Sequence, residues 1–435
     1  MANRSRVARS IKETLASSVD AYAPLRLPQV RALLFAAAFS TLASSSLAVV
    51  IGYSVYRLTR DPLTLGLLGL VEAIPALGLA LFGGAVADRL ERRGIVLVTG
   101  SVMVVASVLF ALVTQTMTRS SSLWPLYAVV FVIGIARGFG QPALAALEAG
   151  VVPQALVIRA SSWLSAAWVG CGIVGPALGG FAFDGLGASG TFWLIASFYA
   201  LSLLCVTRIA KQPIPPLERR EGLLESIAFG VRFVFRNQII VGSMALDLFA
   251  VLFGGAIALL PIFADDILGV GAKGLGLLIA APSVGALAVM VLSAHHPPMR
   301  NAGRNLLLCV AGFGVTMIVF ALSRNFYLTL VTLMFSGVFD GVSMVIRRSI
   351  IRLHSPEHMR GRIASVSNIF IGASNELGAL ESGVAAKLLG TSRSVWIGGL
   401  VTLVVVSAVT LFAPRLRELH LEPPKLPPLE PLGSD

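Results

Sequence analysis

Six ionisable residues stand inside long apolar stretches of this 435-residue chain: Glu72 (GLVEAIP), Arg137 (IARGFGQ), Asp247 (MALDLFA), Asp340 (GVFDGVS), and Glu376 and Glu381 (SNELGALES). A charge at the centre of an apolar span costs about 2.5–3.5 kcal/mol to insert in lipid, so each needs a partner or a wet cavity. Acids in that setting suit proton carriage, because an acid exposed alternately to each side of a membrane moves a proton across it. Asp247 and Glu72 are the leading candidates for a proton or substrate site. Arg137 offers a counter-charge, and the internal repeat described below places Asp340 opposite it, so the two are expected to pair. Asn375, Glu376 and Glu381 fit either a proton path or a moving helix interface. Ser40, Thr41, Ser44, Ser45 and Ser46 form a hydroxyl-rich patch suited to substrate hydrogen bonds or to helix packing.

Other chemistries find little support. His354 and His358 are four residues apart, but the nearby Gly and Pro and the lack of a Cys or Asp cluster make a poor metal site. His295 and His296 lie in a loop without a partner motif. No G-x-x-x-x-G-K-[S/T] occurs, and no nucleophile, base and orienting group converge in one segment, so neither ATP hydrolysis nor another enzymatic reaction is expected. No cofactor or metal is implied. Cys171, Cys205 and Cys309 fall in apolar segments, where cysteine behaves as a small hydrophobe.

The elements that carry these residues follow from composition. Hydrophobic residues make up 56% of the chain and charged ones 13%, half the share of about 25% usual in soluble domains. With a mean hydropathy of +0.84, that excludes disorder, coiled coil and a disulfide scaffold and implies a polytopic membrane protein. Spans of about 20 apolar residues are predicted at Ala32–Tyr56, Leu63–Ala87, Ile95–Met117, Trp124–Ala146, Ser161–Phe183 and Thr191–Thr207. A second set lies at Ile239–Phe263, Gly274–Ala294, Leu306–Leu322, Phe326–Val345, Ile363–Leu388 and Val395–Phe412. The fold class is therefore all-α, with a six-helix half over 1–209, a linker over 210–238 carrying an amphipathic helix at Leu223–Phe235, and a second six-helix half over 239–413. The Pro-rich stretch 414–435 is expected to be a disordered tail. The first thirty or so residues are charged, unlike a signal peptide, so no cleavage is expected.

The net charge of +12 reads as topology rather than as affinity for nucleic acid. Lys and Arg concentrate in the N-terminal segment, around Arg89–Arg93, at Arg159, in the linker, from Arg300 to Arg304, from Arg347 to Arg362 and in the tail. The opposite loops receive only Arg57, Arg60, Arg119, Lys273, Arg324, Lys387 and Arg393, which puts both termini in the cytoplasm. The halves are related by an internal repeat: GIARGFG (Gly134–Gly140) matches GVFDGVS (Gly337–Ser343) at an offset of 203. The same register sets Pro153 on Pro356, Arg159 on Arg362, Ser162 on Ser365, Gly175 on Gly378 and Gly180 on Gly383. LGLL recurs at Leu65–Leu68 and Leu275–Leu278. Parallel repeats of this kind place a substrate cavity near the midplane between the halves.

One loop and one stretch of helix 5 are more specific. GGAVADRLERR (Gly83–Arg93) resembles the motif A signature of the major facilitator superfamily, with Gly84, Asp88, Arg89, Arg92 and Arg93 in register and Glu91 where glycine is usual. The resemblance implies that Asp88 caps helix 11, which begins near Arg362, and so latches one conformational state; Asp88→Asn should shift the population away from the outward-facing state. GCGIVGPALGG (Gly170–Gly180) resembles motif C, the antiporter signature, through Gly175, Pro176, Gly179 and Gly180. The run Leu252–Leu278, with FDGVSMVIRRSI and SNELGALESG, resembles the enterobactin exporter branch, also called transmembrane secretion effectors. The superfamily lines its cavity with helices 1, 4, 7 and 10, which favours Asp247. The resemblance implies a monomeric, proton-coupled exporter of a siderophore, drug or related small metabolite in a bacterial-type inner membrane. A nutrient symporter, a lipid translocator and a transport-inactive receptor are the competing readings.

Overall fold

The computed structural model describes residues 22–116, 122–212, 237–254, 256–295, 298–354 and 360–421. Among them all regular structure is helical, as lipid demands of any chain that must satisfy its backbone internally without closing a barrel. The first six helices are α1 (Pro28–Thr59), α2 (Pro62–Arg89), α3 (Arg92–Thr116), α4 (Trp124–Val151) and the run Val157–Thr207, which is broken at Gly187 (φ 70°, ψ −179°) into α5 before it and α6 after it. They are followed by α7 (Gln238–Gly254), α8 (Gly271–His295), α9 (Ala302–Leu322), α10 (Phe326–His354), α11 (Arg360–Leu389) and α12 (Thr391–Phe412). A short α13 (Pro414–Arg417) ends the described chain. Ten described stretches are long and apolar enough to cross a bilayer. One of them holds both α5 and α6, and α11, whose apolar run is interrupted by Glu376 and Glu381, is not among the ten. Both readings lead back to twelve spans.

Packing divides the chain into two compact units, Met1–Ser54 with Val71–Glu218, and Val55–Leu70 with Arg219–Asp435. In the first, α3 packs along α4 and along the α5–α6 run, with Phe110 stacked on Phe192 at 5.1 Å. Two glycine crossings hold the rest. Gly134 of α4 lies against the Glu72 carbonyl and the Pro75 ring of α2. Gly175 and Gly179 of α5 lie against Leu42, Ser45 and Ser46 of α1. The second unit repeats both crossings, with Gly337 of α10 against Pro282 of α8 and Gly378 of α11 against Val251 and Leu252 of α7. The repeat read from the sequence is thus a repeat of helix contacts, in which the missing side chain lets two backbones meet.

The boundaries correct the expectations in three places. Helix α10 runs nine residues past Val345 to His354 because Ile346 and Ile350 extend its buried stripe into the core of the second unit. Arg347 and Arg348 are consequently helical residues rather than loop charges. The expected tail is folded over Pro414–Leu421: Leu416 and Leu421 are buried, and Leu421 N–H donates to the Met299 carbonyl at 3.1 Å. The outer hairpin Val55–Leu70 packs with the second unit, its Gly66 closing on the backbone of Ala379 and Leu380. The expected helix at Leu223–Phe235, the N-terminal segment 1–21 and residues 422–435 lie outside the described residues.

Candidate transport site

Each unit encloses its own cluster of charges. In the second, α7 and α10 bring Asp247, Arg347 and Asp340 together. Arg347 forms an ion pair with Asp247 and reaches Asp340 at 3.5 Å. Their surroundings differ: the Asp247 and Arg347 side chains are 10% and 11% exposed, whereas that of Asp340 is 45% exposed. Asp340 and Arg347 are seven residues apart, two turns along one helical face, which is how a single arginine spans both acids. One guanidinium cannot neutralise two carboxylates, so with both acids ionised the cluster carries one excess negative charge.

In the first unit Arg137 of α4 pairs with Glu72 of α2, and Tyr199 of α6 lies within their electrostatic reach. The glycine contact of Gly134 with the Glu72 carbonyl brings the two backbones close enough for this pair. The cross-half pairing of Arg137 with Asp340 expected from the repeat is therefore corrected: each residue finds a counter-charge inside its own unit, where the nearer helix supplies it. Arg347 lies beyond the apolar run that ends at Val345, and the sequence signal that joins it to the site is its seven-residue spacing from Asp340.

The motif residues are placed by packing. Arg92 donates to the carbonyls of Ala87 at 3.4 Å and Ala146 at 3.2 Å, and Arg93 donates to that of Thr207 at 2.8 Å. These are carbonyls near the C-terminal ends of α2, α4 and α6, where cations are favoured. Asp88 is half-buried and Arg89 exposed. The side chains at the start of α11, including Arg362, lie outside the described residues, as do those of His296, His354 and His358. Gly83, not Gly84, makes the close approach: a Cβ on Gly83 would strike the Gly138 carbonyl, while Gly84 has nothing within 4 Å. Gly175, Pro176, Gly179 and Gly180 are all buried. The hydroxyl of Ser46 donates to the Gly175 carbonyl at 2.7 Å and that of Ser44 to Thr41 at 3.1 Å, so part of the α1 hydroxyl patch serves helix packing. Glu376 faces Gly69, the preceding Asn375 is exposed, and Glu381, five residues on, is half-buried.

A further charged cluster, not anticipated, surrounds the α1–α2 turn. Arg60, the one non-glycine residue with positive φ (54°) among the described residues, pairs with Asp265 at 2.6 Å and with Asp266. Tyr56 donates to Asp266 and its ring lies under the guanidinium, 5.4 Å from centroid to Cζ. Lys387 binds Asp61 at 2.8 Å. The two aspartates come from a π-helical turn, Phe263–Ile267, a geometry enriched at functional sites. Burial pulls the Arg60 guanidinium down, but Asp265 and Asp266 outweigh it and hold the group above the usual arginine value.

Comparison with known proteins agrees with this architecture. The family model described as transmembrane secretion effector matches residues 19–429. The multidrug efflux pump Tap of Mycolicibacterium fortuitum is 25% identical over 404 residues, covering 89% of this chain and 96% of the pump. The enterobactin exporter EntS of Shigella boydii is 25% identical over 413 residues, covering 92% of this chain and 95% of the exporter. Among solved structures, a bacterial homologue of the human lysosomal transporter Spinster, in an inward-facing and unoccupied conformation, superposes with a TM-score of 0.72 at 14% identity. It covers 91% of this chain and 98% of its own.

Proposed function

Because this chain belongs to the transmembrane secretion effector family, and so is a multi-pass membrane transporter of the major facilitator fold rather than an enzyme, we propose that it is a proton-coupled exporter of a small molecule. Its substrate class is a siderophore, drug or related metabolite, as the names of the efflux pump and the enterobactin exporter suggest. It works as a monomer in a bacterial-type inner membrane with both termini cytoplasmic, the orientation that the Lys/Arg distribution favours.

The observation that carries this reading is the imbalance between the two charge clusters. Glu72 and Arg137 are one acid against one base. Asp247 and Asp340 are two acids that share Arg347, the one cation ion-paired with them among the described residues, and the excess charge of that trio is met by a proton or by a cationic group of the substrate. Protonating Asp247 frees the guanidinium to turn to Asp340, so the two protonation states of the cluster differ in which helices are tied together. Coupling needs no more than that proton and substrate favour different conformations. The Gly175–Gly180 segment, resembling the antiporter signature, supports export over uptake.

Proteoliposomes holding a pH gradient and an interior pH dye, challenged with catecholate siderophores and lipophilic cations, test the proposal. Substrate addition is expected to release protons from the acidic compartment. Asp340→Asn should abolish that release, while Glu72→Gln retains a measurable part. Substrate movement that ignores the gradient in wild type, or full coupling in Asp340→Asn, rejects the assignment.

A further inference from the structure

The segment after α12 builds a cavity apart from the charge clusters described above. It folds back over the start of α9: Gly303 N–H donates to the Leu419 carbonyl at 3.1 Å, matching the Leu421 to Met299 bond. Any side chain at Gly303 would collide with the Leu416 carbonyl, so α13 is seated on α9 by backbone fit. Between this strap, α9 and α12 lies a cavity of about 570 Å³, within the roughly 300–1,000 Å³ of small-molecule sites.

The lining is divided by polarity along the helix axes. At one end stand Arg304, Arg417 and His420; at the other, Leu308, Ala311 and Val406. From Arg304 to Ala311 is seven residues, roughly 10 Å along α9. Arg304 has no ion-pair partner among the described residues. Glu418 also lines this end and pairs with Arg417 at 3.3 Å, which leaves the charge of Arg304 unbalanced, so the polar end is net positive. The cavity opens where two membrane spans end, so its cationic end lies at headgroup level and its apolar end runs into the hydrocarbon. Leu308, 58% exposed, marks that second end as lipid-facing.

We propose that this cavity holds one anionic phospholipid, with its phosphate between Arg304 and Arg417 and an acyl chain along Leu308, Ala311 and Val406. A phosphodiester at a membrane surface gains about 1 kcal/mol, or fivefold in affinity, from each nearby Lys or Arg. A free organic phosphate would satisfy the arginines but leave the apolar end unused. A zwitterionic lipid would fill the apolar end but bring its own cation to the arginines.

Binding of fluorescent phosphatidylglycerol and phosphatidylcholine to the purified full-length chain in neutral detergent tests this. Phosphatidylglycerol is expected to bind the more tightly and to resist displacement by glycerol 3-phosphate. R304Q/R417Q should weaken phosphatidylglycerol about 25-fold and leave phosphatidylcholine unchanged. Ala311→Trp, which fills the apolar end and keeps both arginines, should also weaken phosphatidylglycerol severalfold, and it carries the test if the double variant does not fold. Equal binding of the two lipids by wild type, wild-type phosphatidylglycerol affinity in either variant, or displacement by glycerol 3-phosphate as effective as by a short-chain phosphatidylglycerol would overturn the proposal.

Discussion

Asp247 and Arg347 are each about nine-tenths buried, and a buried ion pair responds asymmetrically to mutation. Removing one partner strands the other charge and costs about 3–5 kcal/mol, whereas replacing both with apolar residues of similar volume is often neutral. Arg347→Met, which leaves Asp247 buried without its cation while Asp247→Asn leaves Arg347 with Asp340, should therefore lower the thermal midpoint in detergent markedly, and D247L/R347M should recover most of the loss without recovering transport. A double variant as unstable as the single one would mean that the cluster is held by more than this pair. The acids were legible in the sequence because a charge inside an apolar run stands out. Arg347 was not, since a basic residue near the end of such a run looks like one more cytoplasmic loop charge. The pairing of Arg137 was misjudged for a related reason: the repeat relates equivalent positions but does not state which neighbour is nearest.

At the scale of the helix, close packing assigns work to particular glycines. Gly83 faces the backbone of Gly138 and Phe139, while Gly84 has open space around it. Gly83→Ala should cost about 1–3 kcal/mol as an overpacked contact, and Gly84→Ala should be neutral or stabilising by up to about 1 kcal/mol through helix propensity. Thermal unfolding of the two variants separates them; equal destabilisation would reject the packing account. The number and order of the spans were readable because hydropathy reports lipid directly, residue by residue. Their ends were less so. The extension of α10 and the ordering of Pro414–Leu421 depend on which face the residues bury, and burial by a neighbouring helix leaves no mark on local composition. The motif match picked Gly84 by register with a family pattern, whereas the contact is set by the angle at which α2 meets α4.

For the whole molecule, the consequential feature is where the chain passes from one compact unit to the other. Besides the passage at Glu218–Arg219 in the linker, it does so between Ser54 and Val55 and again between Leu70 and Val71, inside α1 and α2. Hydropathy shows nothing there, because an apolar helix reads the same whichever unit it packs with. The charges at the tip explain the allegiance of the hairpin: Arg60 to Asp265 and Asp266, Tyr56 to Asp266, Asp61 to Lys387. Arg60 is 38% exposed and Asp266 44%, so each pair contributes at the modest level of partly exposed salt bridges, about 0.2–1 kcal/mol. Neutralising both acceptors in D265N/D266N should then raise amide hydrogen exchange across residues 55–70 by about two- to thirtyfold, at about 1.4 kcal/mol per tenfold. Amides of α3 and α4, which belong to the other compact unit, should exchange as in wild type. High salt should move the wild-type hairpin in the same direction, since partly exposed pairs are screened. If exchange over 55–70 is unchanged in the variant, the hairpin is held without Asp265 and Asp266, by its glycine contacts at Gly66 and Gly383 and the Asp61–Lys387 pair; a rise spread over every helix would instead mean that the two aspartates support the fold as a whole.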